Sequence, residues 1–127
     1  MKRYQTMALS VLAGAVIGAV AVHGLHARAK PPAYAIVEND VRNPEAYARE
    51  FAPLAGKALI EAGGKFLARR GRVVAVDGEP SKSPVTVLAF ENVEKAQAAF
   101  AGPYREARKI GDQYATHRIY IVEGLPQ

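Results

Sequence analysis

Of the three histidines in the chain, His23 and His26 lie within the first 29 residues, which leaves His117 alone in the remainder. An imidazole has the right intrinsic pKa for a general base or acid in a small site. It serves equally well as a half-exposed strand-end residue beside Arg118. The carboxylates and phenol that could work with it come early. Tyr34, Glu38 and Asp40 are separated by even numbers of residues, so in an extended strand they share one face. A phenol and a carboxylate on one wall could bind or deprotonate a small substrate. The plainer reading puts Tyr34 in the core and Glu38 and Asp40 at a wet strand end. Arg69, Arg70 and Arg72 surround Gly71. They could hold an acidic ligand, or they could keep a charged hairpin tip solvated. Tyr104 and Arg108 stand four apart and therefore share one face of a helix. That face covers the mouth of a pocket, or else makes a helix–helix or dimer contact.

Several chemistries find no support. The chain has no cysteine, which removes disulfides, thiol nucleophiles and thiolate metal ligands. One histidine beyond the leader cannot build a multi-histidine zinc site. There is no glycine-rich phosphate cradle and no aspartate cluster for calcium or magnesium. Ser81 and Ser83 lack a GxSxG setting, so no hydrolase triad is expected. No metal and no cofactor are expected.

The elements that must carry these residues follow from the pattern of the chain. Residues 33–39 read as a strand. Asn43-Pro44-Glu45 opens a helix, with Asn as the cap, Pro at the first position and an acid in the first turn. Tyr47, Phe51, Leu54, Ala58 and Leu59 form its apolar stripe. Pro53 should kink that helix, and Gly63-Gly64 should end it. Lys65–Arg69 and residues 73–77 read as a hairpin about Gly71, followed by a loop over 77–84 rich in Pro, Gly and Ser. Val85–Phe90 is almost wholly apolar and reads as a central strand. Residues 93–100 and 104–114 are two helical pieces separated by Gly102-Pro103, and residues 117–123 are the last strand. The order predicts an α+β fold: a ferredoxin-like βαββαβ plan with one extra hairpin strand.

Before this domain stands a leader. Lys2 and Arg3 are followed by an uncharged run over residues 7–22 and then by Ala27-Arg28-Ala29, a small-x-small cleavage pattern. Together these form a secretory signature, with a signal peptide over residues 1–29 and a single domain over 30–127. Ala27 and Ala29 are the expected signal-cleavage residues, and the expected location is periplasmic or secreted. The uncharged run of 16 residues is short of the roughly 20 needed for a span, so membrane contact is expected only through an uncleaved leader. Three of the 17 basic residues and none of the 12 acidic ones precede Lys30, leaving a balance of only +2 for the domain. That charge gives no sign of nucleic-acid binding.

Two groups of blocks carry a resemblance to a known family. The opening blocks are Ala33-Tyr34-Ala35-Ile36-Val37, Asn43-Pro44-Glu45-Ala46-Tyr47 and Gly63-Gly64-Lys65-Phe66-Leu67-Ala68-Arg69. The closing blocks are Val87-Leu88-Ala89-Phe90, Ala96-Gln97-Ala98-Ala99-Phe100, Tyr104-Arg105-Glu106-Ala107-Arg108 and Val122-Glu123-Gly124-Leu125. In order and spacing these resemble the uncharacterised domain family DUF1330, of the dimeric α+β barrel superfamily. The resemblance implies a ferredoxin-like protomer whose sheet packs on that of a second copy, and it implies no particular reaction. Relatives in the superfamily include cofactor-free monooxygenases, muconolactone isomerases and haem peroxidases. Around residues 79–83 the family often carries an aromatic residue or an arginine, where this chain has Pro, Ser and Lys.

Two functional readings stay open. One is an exported homodimer that binds a small molecule or acts in a stress response. The other is a cofactor-free enzyme of the monooxygenase or isomerase type, acting on a small organic substrate. A sheet covered on one side needs a second cover. Ala35, Val37, Thr86, Leu88, Tyr120 and Val122 include candidates for the bare face. If the first and last strands are antiparallel neighbours, Tyr34 and His117 fall at opposite ends and Glu38 comes near His117. A Glu38–His117 acid/base or binding pair is then the sharpest expectation, with Tyr104 or Arg108 adding a polar contact from the helix above. A one-residue shift in register would place the two on opposite faces instead.

Overall fold

The first strand, β1 (Ala33–Val41), alternates covered and less covered residues along most of its length, as a strand with two different faces must. Asn43 ends the turn after it, and its side-chain oxygen accepts from the Ala46 N–H at 3.2 Å. The chain then enters α1 (Pro44–Ala46), a π-helical segment over Tyr47–Phe51, and α2 (Ala52–Glu61). The kink expected at Pro53 takes the form of this wide turn. Proline has no N–H and its ring crowds the carbonyl four residues back. Just before it the ladder widens, and the Ala52 N–H bonds to the Tyr47 carbonyl, five residues back. Gly63, at φ 97°, closes the helix in a conformation that disfavours any side chain.

Next come β2 (Lys65–Arg69), β3 (Val85–Phe90), α3 (Val93–Ala101), α4 (Pro103–Gly111) and β4 (Ala115–Glu123). Asn92 caps α3 by accepting from the Lys95 N–H at 2.9 Å, and Pro103 sits in the first turn of α4. The four strands form one sheet in the order β2-β3-β1-β4, with every pairing antiparallel. This is the ferredoxin-like arrangement, with helices on one face. The computed structural model describes residues 30–127, and residues 31–126 make one compact unit. The leader, with Ala27 and Ala29, lies outside the described residues. Among the described residues no helix is long and apolar enough to cross a membrane.

Two expectations about this frame need correction. The extra hairpin strand over residues 73–77 does not form, and β2 pairs with β3 instead. Arg70, not Gly71, takes the left-handed conformation (φ 54°), and its N–H bonds to the Val85 carbonyl at 3.0 Å. The chain is thus tied to β3 before a tight turn can fold it back on β2. Val73, Val74 and Val76 are left exposed. The second correction concerns the faces. Ala35, Val37, Thr86 and Leu88 lie on the helix side, because their register partners share that side with the buried residues Ala33 and Phe90. Of the six candidates for the open face, only Tyr120 and Val122 are on it, beside Tyr34, Ile36 and Val87.

The core is small-residue packing around a few rings. Ala33, Ala35, Leu88 and Ala96 have no exposed surface, and Phe51, Phe90, Ala99 and Tyr104 have 2–3%. Alanines on both sheet and helix let α3 come close to β1.

Candidate functional site

Between the helix face of the sheet and α2 lies a cavity of about 330 Å³. β1 and β3 form its floor with Val37, Asn39, Thr86 and Leu88, and the helical segments supply Tyr47, Phe51, Ala55 and Leu59. Arg69 and Arg70, at the end of β2, stand at one side, and Tyr104 reaches in from α4. The lining is mostly apolar with a few convergent polar groups, the usual make-up of a small-molecule pocket.

Each polar group is held by neighbouring side chains, several of them in the cavity lining itself. The Arg69 guanidinium lies 4.3 Å from the Phe66 ring centroid, in cation–π contact. It also covers Gly56 of α2, where a Cβ would come 3.0 Å from one guanidinium nitrogen. Arg70 sits over the Tyr47 ring at 5.5 Å. The Asn39 amide donates from Nδ2 to the Tyr47 hydroxyl, while its buried Oδ1 has no hydrogen-bond partner among the described residues. Burial pushes the Tyr104 phenol up to about 12 against the opposing pull of Arg108, so it remains a protonated donor.

Behind the Tyr47 and Phe51 rings sits His117. Its side chain is fully covered. Its ring centroid is 5.2 Å from that of Phe51 and 6.3 Å from that of Tyr47. Nδ1 lies 3.3 Å from Asp112 Oδ1, which also accepts from Arg108 Nε at 3.1 Å. Arg42 frames the same corner, donating to Thr116 Oγ1 at 2.9 Å and to the Asp112 carbonyl at 3.1 Å. Burial, reinforced by the nearby Arg108, pulls the His117 pKa down to about 4, with Asp112 opposing. The imidazole is therefore neutral at neutral pH. The hydrogen bond from Arg108 holds the Asp112 carboxyl below the usual range.

The expected Glu38–His117 pair does not form. In the β1–β4 register Glu38 stands opposite Arg118 and His117 stands opposite Asn39, so Glu38 and His117 project from opposite faces of the sheet. On the open face Glu38 accepts from Ser81 Oγ at 3.0 Å and lies 3.5 Å from an Arg118 guanidinium nitrogen. Tyr34 and Asp40 share that open face, at opposite ends of β1, and neither reaches the cavity. Arg108 and His117 do come together, through Asp112, and Tyr104 joins them through its hydrogen bond with Arg108. Arg69 reaches the cavity from the far side. Asn39, Arg42 and Asp112 are not among the candidates read from the sequence, where Tyr47 and Phe51 enter only as part of an apolar stripe. Two signals pointed to some of them: Asp112 is one helical turn beyond Arg108, and Asn39 has the parity of Val37.

The fold matches that of several solved structures. A protein of unknown function from Rhodopseudomonas palustris superposes with a TM-score of 0.59 at 19% identity, over 76% of this chain and 84% of that one. A cofactor-independent oxygenase from Streptomyces nogalater gives 0.51 at 13% identity, over 76% and 96%. A putative antibiotic biosynthesis monooxygenase from Nitrosomonas europaea gives 0.50 at 17%, over 76% and 92%. At such identities the likeness is one of fold alone. No curated protein matches the sequence. The conserved-domain pattern described as a domain of unknown function, DUF1330, matches residues 32–125, which spans every strand and helix described above and both walls of the cavity. The chain is a member of the DUF1330 family.

Proposed function

We propose that the protein binds a small, mostly apolar molecule carrying an anionic or carbonyl oxygen, and that it does so as an exported homodimer. The observation that carries the binding reading is the cavity of about 330 Å³ with Arg69, Asn39 and Tyr104 converging on an otherwise apolar lining. Arg69 suits an anionic oxygen through paired hydrogen bonds. The protonated Tyr104 hydroxyl is a further donor. The unpartnered Asn39 Oδ1 would accept from a hydroxyl on the bound molecule. Export is supported by the leader, and assembly by the apolar open face of the sheet.

A second reading, a cofactor-free oxygenase or isomerase, draws on the shared fold with the Streptomyces oxygenase. Against it, Tyr104 is a poor base when its pKa is near 12. His117 lies behind the Tyr47 and Phe51 rings and does not line the cavity. Calorimetric titration with a series of aromatic carboxylates and their neutral amides tests the binding reading. Binding of carboxylates, weakened about tenfold by Arg69→Met, is expected from the loss of a charge-assisted bond. If no carboxylate binds, or if Arg69→Met binds as well as the parent, this assignment of the site fails. Oxygen uptake or substrate isomerisation lost in Tyr104→Phe would favour the enzyme instead.

A further inference from the structure

Two six-residue segments, far apart in the sequence, have the same pattern: a base, four apolar residues and an acid. One is Arg72-Val73-Val74-Ala75-Val76-Asp77, and the other is Arg118-Ile119-Tyr120-Ile121-Val122-Glu123. The second lies within β4, which has β1 on one side and no strand on the other among the described residues. The first is outside the sheet, with Val73, Val74 and Val76 45%, 66% and 97% exposed. An open strand edge and an exposed run of valines are both hazards that soluble proteins normally cover.

We infer that residues 72–77 of one protomer add as an antiparallel fifth strand to the β4 edge of a second copy, and that the exchange is reciprocal. Antiparallel alignment places Arg72 against Glu123 and Asp77 against Arg118. Between these charged ends Val73 meets Val122, Val74 meets Ile121, Ala75 meets Tyr120 and Val76 meets Ile119. Directly opposed residues project to the same side. Ile119 and Ile121 project to the helix side, opposite Val37 and Ala35. Val74 and Val76, the two most exposed valines of the segment, therefore fall on that side. There a groove of about 840 Å³ runs along β4, lined in part by Val93, Phe100, Ile119 and Ile121. Val73 and Ala75 extend the apolar surface of Tyr120 and Val122 on the open face. Arg72, Asp77 and Glu123 make no ion pair among the described residues, so their charges are available for this register.

The occupant must come from another copy. Arg70 is tied to Val85, which stands at the same end of the sheet as Glu38 and Arg118. Pairing within one chain would put Arg72 beside Glu123, five strand steps or roughly 17 Å along the sheet from Arg118. The two residues from Arg70 to Arg72 span at most about 7 Å. A two-fold dimer removes the conflict and closes on itself. Pairing β4 with β4 about a two-fold opposes residues of the same parity, so it could not set Arg118 against Glu123, which lie on opposite faces, and it would leave the three valines uncovered.

This inference rests on the homodimer reading, and the absence of native cysteine makes the two separable. The double variant Val73→Cys/Val122→Cys, purified as cells produce it and oxidised, should give a disulfide-linked dimer, since opposed antiparallel residues have the spacing a disulfide needs. Val73→Cys/Tyr120→Cys, two residues out of register, should not. Arg72→Glu should weaken the dimer about tenfold in sedimentation equilibrium, from two exposed ion pairs lost per dimer, and adding Glu123→Arg should restore it. A monomer at every concentration defeats the dimer reading itself. A dimer that does not cross-link at 73–122, or that cross-links through Ile121→Cys alone as β4 against β4, leaves that reading standing and overturns this pairing.

Discussion

The two faces of the sheet come from the same strands and have different surroundings. On the helix side, Ala33, Ala35 and Leu88 have no exposed surface, and Val37 and Phe90 keep 6% and 3%. On the other side, Tyr120 and Val122 keep 41% and 49%. Both faces are apolar, yet only one is packed within the protomer. The packed side also holds the polar groups with strongly shifted pKa values, Tyr104 and His117, whereas the open face pairs one of its two β1 carboxylates, Glu38, with an exposed Arg118. The difference teaches that one face fixes the fold and the cavity, while the other is left uncovered by the protomer.

The largest expected effect contrasts neighbours in β3. Leu88→Ala should cost about 3 kcal/mol in urea unfolding, as fully buried leucines do. Val87→Ala, on the open face, should cost about 1 kcal/mol, and that loss should change with protein concentration if a second copy covers it. Equal, concentration-independent losses would erase the distinction between the faces.

A pH series sharpens the same contrast. His117 has its folded pKa pulled from 6.5 to about 4, so above pH 6.5 neither the folded nor the unfolded chain carries this proton. Between pH 6.5 and 4 the unfolded chain takes up the proton first, so stability should fall as pH falls, by at most about 3 kcal/mol. Below 4 this residue adds no further loss. Asp112, with its pKa lowered, acts only at lower pH, because its contribution is present above its unfolded value and lost as pH falls through the folded one. Unfolding measured from pH 7 to 4.5 therefore isolates His117, and His117→Gln should flatten the slope.

Gly111→Ala tests how tightly the helix side is filled. A Cβ there would come within 2.6 Å of the Phe51 ring, and overpacking of this kind costs about 2 kcal/mol. The Phe51 ring would have to move, so ligand affinity should fall together with Tm. The smallest effect belongs to the open face. Arg118→Ala should change protomer stability by less than about 1 kcal/mol, the range of exposed ion pairs. A larger loss would mean that the Arg118–Glu38 pair is buried by something beyond the protomer.

Local signals in the sequence are legible and long-range ones less so. Asn43-Pro44, Gly63-Gly64 and Gly102-Pro103 mark their boundaries through caps and breakers that act within a turn or two. The faces of β1 and β4 were illegible because both parities are apolar: Ala33, Ala35 and Val37 on one side, Tyr34 and Ile36 on the other. Shape settled the matter, since the alanines admit the helices more closely than the bulkier set would. The apolar run over 73–77 reads as a strand because its side chains suit one, but the tie from Arg70 to Val85 keeps it from folding back on the free edge of β2. His117 stood out by its rarity. Its partner Asp112 did not, since an acid one turn after an arginine usually marks only a surface pair.

The wide turn at Tyr47–Phe51 bears on how the chain tolerates insertions and deletions. Each residue of an α-helix advances the phase by about 100°. Deleting Ala48 would leave an ordinary ladder with no hydrogen bond to spare, yet it would swing Ala55, Ala58 and Leu59 out of phase with Tyr47. The turn works as a phase shifter, letting one continuous helix aim Tyr47 and Phe51 at the His117 corner and its later residues at the cavity wall. A shortened chain would keep its helix content by circular dichroism and lose the cavity.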